Sequence, residues 1–222
     1  RTFWLTSSTV NTVVGNDNCH VLLSFNFRHK DTVNTLQPVL QKLGIWFLHG
    51  APHESELLHL AEAHNGWFTA DSVKTAFKSL GESLREDNLS KWFLNYELPD
   101  AVGGRSGKRV GLILAGNLPL VGFHDILCSI VAGHDVAIKA SRDDMVLPQR
   151  VVQELENIEP KLKNRIVFTE GKLGNIDAVI ATGSSNTMRY FDAYFGHLPH
   201  LFRAQRTGVA VLDGLESEDE LK

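Results

Sequence analysis

Asn117 follows a short apolar run, residues 110–115, and lies in the turn Gly116-Asn117-Leu118-Pro119. A side-chain amide at the end of a strand can donate a hydrogen bond to an oxyanion that develops during a reaction. This chemistry makes Asn117 a candidate catalytic residue. A turn that contains glycine and proline also uses asparagine for its backbone preferences alone, and that alternative stays open.

Lys139 and Ser141 follow a second apolar run, residues 136–138. Lysine is a compact cation with three hydrogen-bond donors, so it suits a ribose hydroxyl or a 2′-phosphate. The pair is therefore a candidate contact for a cofactor. A solvated lysine at a strand end is the alternative interpretation of Lys139.

Thr182, Gly183 and Ser184 follow a third apolar run, residues 177–181. A Gly-Ser turn that opens a helix brings backbone N–H groups close to a phosphate. Ser184 or Asn186 as an ordinary helix cap is the alternative.

These polar groups need a framework of alternating strands and helices. The apolar runs are short and nearly continuous, which is typical of strands that are buried on both faces of a parallel sheet. Strands are predicted at residues 110–115, 136–138, 165–168, 177–181 and 209–212, and helices at residues 120–132, 143–158 and 187–195. The order of elements predicts an α/β fold with a doubly wound parallel sheet.

The preceding part of the chain is predicted to be helical. Apolar residues at helical spacing follow Thr69, which is a plausible N-cap, and the spacing repeats after Asp87. Residues 65–69 are predicted to connect two helices, and residues 98–107 are rich in turn formers and mark a boundary.

Three segments carry a resemblance to a known family: AGNLPLVGFHD, AGHDVAIKAS and DAVIATGSSNTMRYFDAYFG. In this joint order they resemble the acyl-CoA reductases of the bioluminescence type, which belong to the aldehyde dehydrogenase superfamily. The resemblance covers residues 36–215. It implies an aldehyde-dehydrogenase-like fold with four parts: an unassigned segment (1–35), a helical region (36–98), a Rossmann-like dinucleotide-binding domain (108–214) and the start of a catalytic domain (215–222).

The same resemblance implies an activity. NADPH, with NADH as the alternative, would reduce a long-chain fatty acyl-CoA to the aldehyde through a cysteine acyl-enzyme. Asn117 would stabilise the thiohemiacetal oxyanion. Lys139 and Ser141 would contact the adenosine half of the cofactor, and Thr182, Gly183 and Ser184 would lie near its pyrophosphate. The complete protein is expected to form a homo-oligomer.

The chain also departs from the expected patterns. It contains no G-x-G-x-x-G fingerprint, so the superfamily's different cofactor mode would be required. Its cysteines are Cys19, in a segment without resemblance, and Cys128, which is interpreted as a small hydrophobe inside a helix. By the same resemblance the nucleophile would come from a domain that follows residue 222, and the chain is expected to be a fragment that supplies the cofactor-binding part. Residues 202–208 lack a carboxylate, which fits a reductase that does not activate water.

Other polar residues receive less specific interpretations. His124 and Asp125 are adjacent on a predicted helix, and a surface or capping role is favoured for them over a proton relay. Arg203 and Arg206 are interpreted as a solvated basic turn, with contacts to cofactor phosphates as the alternative.

Composition limits the function classes. A net charge of −4 gives no electrostatic case for nucleic acid binding. No apolar run is long enough for a membrane span, no signal peptide is visible, and no metal site is predicted, so a cytoplasmic protein is the expectation. Two alternatives to the fatty acyl-CoA reductase stay open: a non-catalytic dinucleotide-binding or partner-binding remnant, and a short-chain acylating aldehyde dehydrogenase.

Overall fold

The computed structural model describes residues 32–94, 96 and 107–204, which form an α/β structure around a parallel sheet. Helices α1 to α4 precede the first strand and span Thr32–Ile45, Ser55–His64, Ala70–Ser83 and Glu86–Phe93. The strands and helices that follow are β1 (Arg109–Ile113), α5 (Phe123–Val131), β2 (Asp135–Lys139), α6 (Val146–Ile158), β3 (Ile166–Phe168), β4 (Ala178–Thr182), α7 (Ser185–Phe195) and β5 (His200–Arg203). None of the helices in this part of the chain combines the length and apolarity needed to cross a membrane.

The five strands are parallel and lie in the order β3-β2-β1-β4-β5. β1 is central and pairs with both β2 and β4, with Leu112 opposite Ile138 on one side and Ile180 on the other. The chain builds the sheet outward from β1 in one direction through β2 and β3. It then crosses back to β4 and continues in the opposite direction, so the strand order reverses between β1 and β4.

Alternate residues of the strands face two separate hydrophobic clusters. Val110, Leu112 and Ile180 belong to the large cluster, which also contains side chains of α1 to α6. Val179 and Ala181 face the other side and pack with Phe191 of α7. A parallel sheet buried on both faces explains why the strands are apolar runs without polar alternation.

The N-terminal helices share the large cluster with the sheet. α1 ends in one turn of π-helix, Trp46–Gly50, which carries the fully buried Phe47. The ring of Phe47 lies 5.7 Å from that of Phe77 in α3 and 5.4 Å from that of Phe123 in α5, measured between centroids. Phe47 therefore joins the helical region to the helix that follows β1.

The structure confirms most of the predicted elements and corrects others. Four of the five predicted strands and all three predicted helices of the sheet region are present with shifted ends, and Gly133, two residues after the end of α5, has a φ of 81°. Thr69 is the N-cap of α3, as predicted, and its side chain accepts a hydrogen bond from the Ser72 N–H. The next helix, α4, begins at Glu86, one residue before Asp87. β5 at His200–Arg203 was not predicted, and the strand predicted at residues 209–212 lies outside the described residues.

Replacing Phe47 with alanine should remove the ring contact between Phe47 and Phe123 of α5. Truncation of a fully buried phenylalanine costs about 3 to 5 kcal/mol, so the free energy of unfolding in urea should fall by that amount. Trp67→Ala is the control, because the Trp67 side chain is 88 % exposed and its loss should change the free energy of unfolding by less than about 0.5 kcal/mol. Equal effects of the two substitutions would contradict this packing.

Candidate functional site

The polar residues singled out in the sequence lie along one edge of the sheet, where the strands end. We call this the carboxyl edge, formed by residues 114–120 after β1, 139–144 after β2 and 182–185 after β4. Ile113 of β1 lies opposite Lys139 of β2 and Ala181 of β4, so the three segments leave the sheet side by side. In open α/β sheets, ligands bind outside the carboxyl ends of the strands where the strand order reverses, which here is between β1 and β4.

Asn117 lies in a turn that is fixed by hydrogen bonds to two other parts of the chain. Its side chain is exposed at the carboxyl edge, and three residues later Leu120 adopts a φ of 59° with its side chain buried. A positive φ is rare for leucine and persists only where the surroundings enforce it. Here the Leu120 N–H donates a 2.7 Å hydrogen bond to Oδ2 of Asp144. The Asn65 side chain donates a longer one, 3.4 Å, to the Gly116 carbonyl oxygen.

Asp144 is a buried carboxyl group that the sequence analysis did not single out. Only 4 % of the residue is exposed, and its Oδ1 atom has no hydrogen-bond partner within the described part of the chain. Burial raises the pKa of Asp144 to about 7, and the hydrogen bond from the Leu120 N–H opposes that rise. The carboxyl group therefore changes charge near neutral pH.

Lys139 and Ser141 occupy the end of β2. Lys139 is exposed and makes no ion pair with the residues that the structure describes. The Ser141 hydroxyl accepts a hydrogen bond from the Asp143 N–H and lies against Gly116, where an added Cβ would come within 2.7 Å of the hydroxyl oxygen. Gly116 thus allows the turn after β1 to pass directly over Ser141.

Thr182, Gly183 and Ser184 connect β4 to α7. Ser184 is the N-cap of α7, and its hydroxyl accepts the Thr187 N–H, so the capping interpretation is correct for this residue. The Gly183 N–H donates to the Arg203 carbonyl oxygen of β5. A Cβ on Gly183 would lie 3.1 Å from the Thr187 Cβ atom, which shows how closely this turn approaches the first turn of the helix.

Asp125 and Arg203 form an ion pair that the sequence interpretation missed. Asp125 is 5 % exposed, so the predicted surface or capping role is wrong. Arg203 is also not part of a solvated turn, because it ends β5 and its Nη1 atom lies 2.6 Å from each oxygen of the Asp125 carboxylate. A carboxylate between apolar helix residues was the one available signal of a buried counter-charge. Arg206 lies outside the described residues.

His124 and Cys128 lie one turn apart on α5. His124 is exposed, as expected for a surface residue, and its Nε2 atom lies 3.3 Å from the Cys128 sulfur. Cys128 is half-buried rather than enclosed, which corrects its interpretation as a purely hydrophobic residue. Cys19 lies outside the described residues. No group of three or more potential metal ligands occurs within the ranges that the structure describes.

Charged residues at the opposite, amino edge of the sheet pair with each other. The Lys108 ammonium lies 3.1 Å from Asp177, and the Arg165 guanidinium lies 3.2 Å from Asp135. The Arg109 N–H and the Lys108 ammonium also lower the pKa of Asp177 by stabilising its charge. Lys139 at the carboxyl edge has no such neighbour in the described part of the chain, which distinguishes the two edges.

Comparisons with known proteins do not assign a family. No family model matches the chain, and no curated protein sequence matches it.

Replacing Arg203 with methionine should leave the Asp125 carboxylate buried without its counter-charge. Breaking one side of a buried ion pair costs about 3 to 5 kcal/mol, and the free energy of unfolding in urea should fall accordingly. Arg189→Met is the matched control, because Arg189 is exposed on α7. The double substitution Asp125→Leu and Arg203→Met should recover part of the loss. A change as small as that of the control would contradict the pairing.

Proposed function

We propose that the carboxyl edge binds NADPH, with NADH as the alternative cofactor. We further propose that the protein serves in the reduction of a fatty acyl-CoA thioester to the aldehyde. The observation that carries the proposal is the meeting of three polar segments at the point where the strand order reverses. The exposed Asn117 lies after β1, the exposed Lys139 ends β2, and the Gly183-Ser184 turn follows β4. Dinucleotides bind in this position on open α/β sheets.

The electrostatics of two helix N-termini indicate where the pyrophosphate would bind. Common dinucleotide-binding folds hold it at the helix after β1, which is α5 here. The first turn of α5 carries Asp125, whose carboxylate is already paired with Arg203, and the Asp144 carboxyl group beneath the preceding turn would oppose an anion when it is ionised. The first turn of α7 has no acidic residue. The backbone N–H groups of this first turn have no acceptors within the helix. The Ser184 hydroxyl accepts one of them, from Thr187, and the others suit a phosphate.

Lys139 supports NADPH over NADH. In common dinucleotide-binding folds an acidic residue near the end of the second strand accepts the ribose 2′-hydroxyl of NAD, and a basic residue accommodates the 2′-phosphate of NADP. This chain has lysine at the end of β2, and that lysine is exposed and not engaged in an ion pair with any described residue. A cation at this position favours the doubly charged 2′-phosphate.

Asn117 has the chemistry for the reacting carbonyl group. When bound, the dinucleotide supplies the hydride that converts the acyl group into the aldehyde. The Asn117 amide can donate a hydrogen bond to the carbonyl oxygen as it gains negative charge. Cys128 is not proposed as the acyl carrier, because it lies five residues into α5, about 7 Å along the helix axis from the carboxyl edge. The two alternatives also remain: a non-catalytic dinucleotide-binding or partner-binding protein, and an acylating dehydrogenase for short chains.

A fluorescence titration with NADPH and NADH tests the cofactor proposal. Lys139→Ala should weaken NADPH binding by about tenfold, which corresponds to about 1.4 kcal/mol, through loss of a charge-assisted hydrogen bond. NADH binding should change less, because NADH lacks the 2′-phosphate. Lys163→Ala is the control, since Lys163 is an exposed lysine that precedes β3 at the amino edge. An equal effect of both substitutions would reduce the role of Lys139 to general charge attraction, and absence of saturable binding by the folded chain would overturn the proposal.

A reduction assay and the gene sequence together test the activity. The 222-residue chain is expected to bind NADPH and to release no aldehyde from palmitoyl-CoA, because neither Cys19 nor Cys128 is proposed as the nucleophile. Aldehyde formation by the pure chain that disappears in Cys128→Ala would contradict this assignment. A cysteine codon downstream of Lys222 in the same reading frame would support the enzyme. A stop codon immediately after Lys222 would favour the non-catalytic alternative.

A further inference from the structure

We propose that Asp144 is a positioning residue for the turn that carries Asn117, and that protonation of its carboxylate loosens this turn. The inference rests on the proposed function for its catalytic meaning. The underlying conformational change is a property of the chain itself and can be measured without any ligand.

The geometry places Asp144 in control of one backbone position. Its Oδ2 atom accepts the Leu120 N–H at 2.7 Å, and the φ of 59° at Leu120 sets the direction in which the chain leaves the Asn117 turn. The Leu120 side chain is 3 % exposed, so the residue is fixed by its buried side chain and by this hydrogen bond. Without the bond, a leucine with positive φ loses one of the two constraints that stabilise it.

The strength of this hydrogen bond depends on the charge of Asp144. A carboxylate forms a shorter and roughly twice as strong hydrogen bond with a backbone N–H as a neutral carboxyl group does. Burial raises the pKa of Asp144 to about 7, so the carboxylate predominates above that pH and the neutral acid below it. The Leu120 hydrogen bond is therefore stronger above pH 7 and weaker below it, whereas the burial that raises the pKa makes the folded chain as a whole less stable as the pH rises through about 7.

Other titratable groups lie on the elements around Asp144. Its own short 3₁₀-helix, Arg142–Asp144, carries the exposed Arg142 and Asp143, and the turn over residues 114–122 contains no titratable side chain. α2 packs against this 3₁₀-helix and α6 follows it, and α5 begins after the Asn117 turn. The titratable residues of these helices are Glu56, His59, Glu62 and His64 of α2, Arg150, Glu154 and Glu156 of α6, and His124, Asp125 and Cys128 of α5. The histidines among them are His59, His64 and His124, and the experiment must separate any contribution of these side chains from that of Asp144.

Nuclear magnetic resonance of the ¹⁵N-labelled chain tests the hydrogen bond directly. The amide proton of Leu120 should move upfield as the pH falls from 8.5 to 5.5, about a midpoint near 7, because its acceptor loses charge. The amide of Leu118, in the same turn, should shift over the same range. A Leu120 amide whose shift does not titrate in the wild-type chain would overturn the proposal, and this result needs no variant to fold.

Two substitutions assign the titration to one residue. Asp144→Asn keeps a carbonyl oxygen for the Leu120 N–H but cannot ionise, so the Leu120 shift should become independent of pH. Asp143→Asn is the matched control, since Asp143 is adjacent and exposed, and the titration should persist. Persistence of the titration in Asp144→Asn would assign it to one of the histidines and overturn the proposal.

Cofactor affinity links the turn to the proposed function. NADH is the probe, because it lacks a 2′-phosphate that would itself titrate. Its affinity should fall by about two- to tenfold between pH 8 and pH 6, the range expected for weakening one hydrogen bond, in wild type and Asp143→Asn but not in Asp144→Asn. Saturable NADH binding without this pattern would overturn the control of the site by Asp144. A titrating Leu120 amide without any dinucleotide binding would instead overturn the proposed function and leave the role of Asp144 in the turn intact.

Discussion

The parallel pairing of β1 with both β2 and β4 is the constraint on which the rest of the structure depends. Parallel strands need a crossover connection between them, and the crossovers must cover both faces of the sheet. Since β1 is central, the chain can add strands on one side and then on the other, which creates the reversal of strand order. All strands end at the same edge, so the turns after β1, β2 and β4 lie next to one another although they are far apart in the sequence.

That arrangement brings two buried carboxyl groups close to the carboxyl edge, and the protein accommodates them differently. Asp125 forms an ion pair with Arg203, which lies at the end of β5, an edge strand of the described sheet. Asp144 has no such cation, and burial shifts its pKa toward neutrality. The first solution fixes a charge and stabilises the connection between α5 and β5. The second leaves a carboxyl group with a raised pKa directly under the turn that carries Asn117.

The strands and helices of the sheet region can be predicted from the sequence because a strand buried on both faces needs apolar side chains at nearly every position. β5 does not form such an apolar run and was not predicted, since its residues His200 to Arg203 are all half-buried and include two polar side chains. Residues such as Asn117 and Lys139 can be selected from sequence because they follow these runs directly. The pair of Asp125 and Arg203 cannot, because 78 positions separate the partners. Asp144 is equally inaccessible to sequence reasoning, since its partner is a backbone N–H that any residue could supply.

The turn after β1 shows why the site cannot be understood from the sheet alone. Three elements constrain it: Asn65, in the connection between α2 and α3, contacts Gly116; Ser141 after β2 packs against the same glycine; and Asp144 binds Leu120. Asn65 belongs to the helical region, which is joined to the sheet through Phe47 and Phe123 in one hydrophobic cluster. The amide role proposed for Asn117 requires a donor that is fixed relative to the reacting atom, so this packing would serve the proposed function as well as stability. The helical region therefore helps to hold the Asn117 turn in place. Substitutions that loosen the packing of this region should also change the position of the turn, because Asn65 binds Gly116.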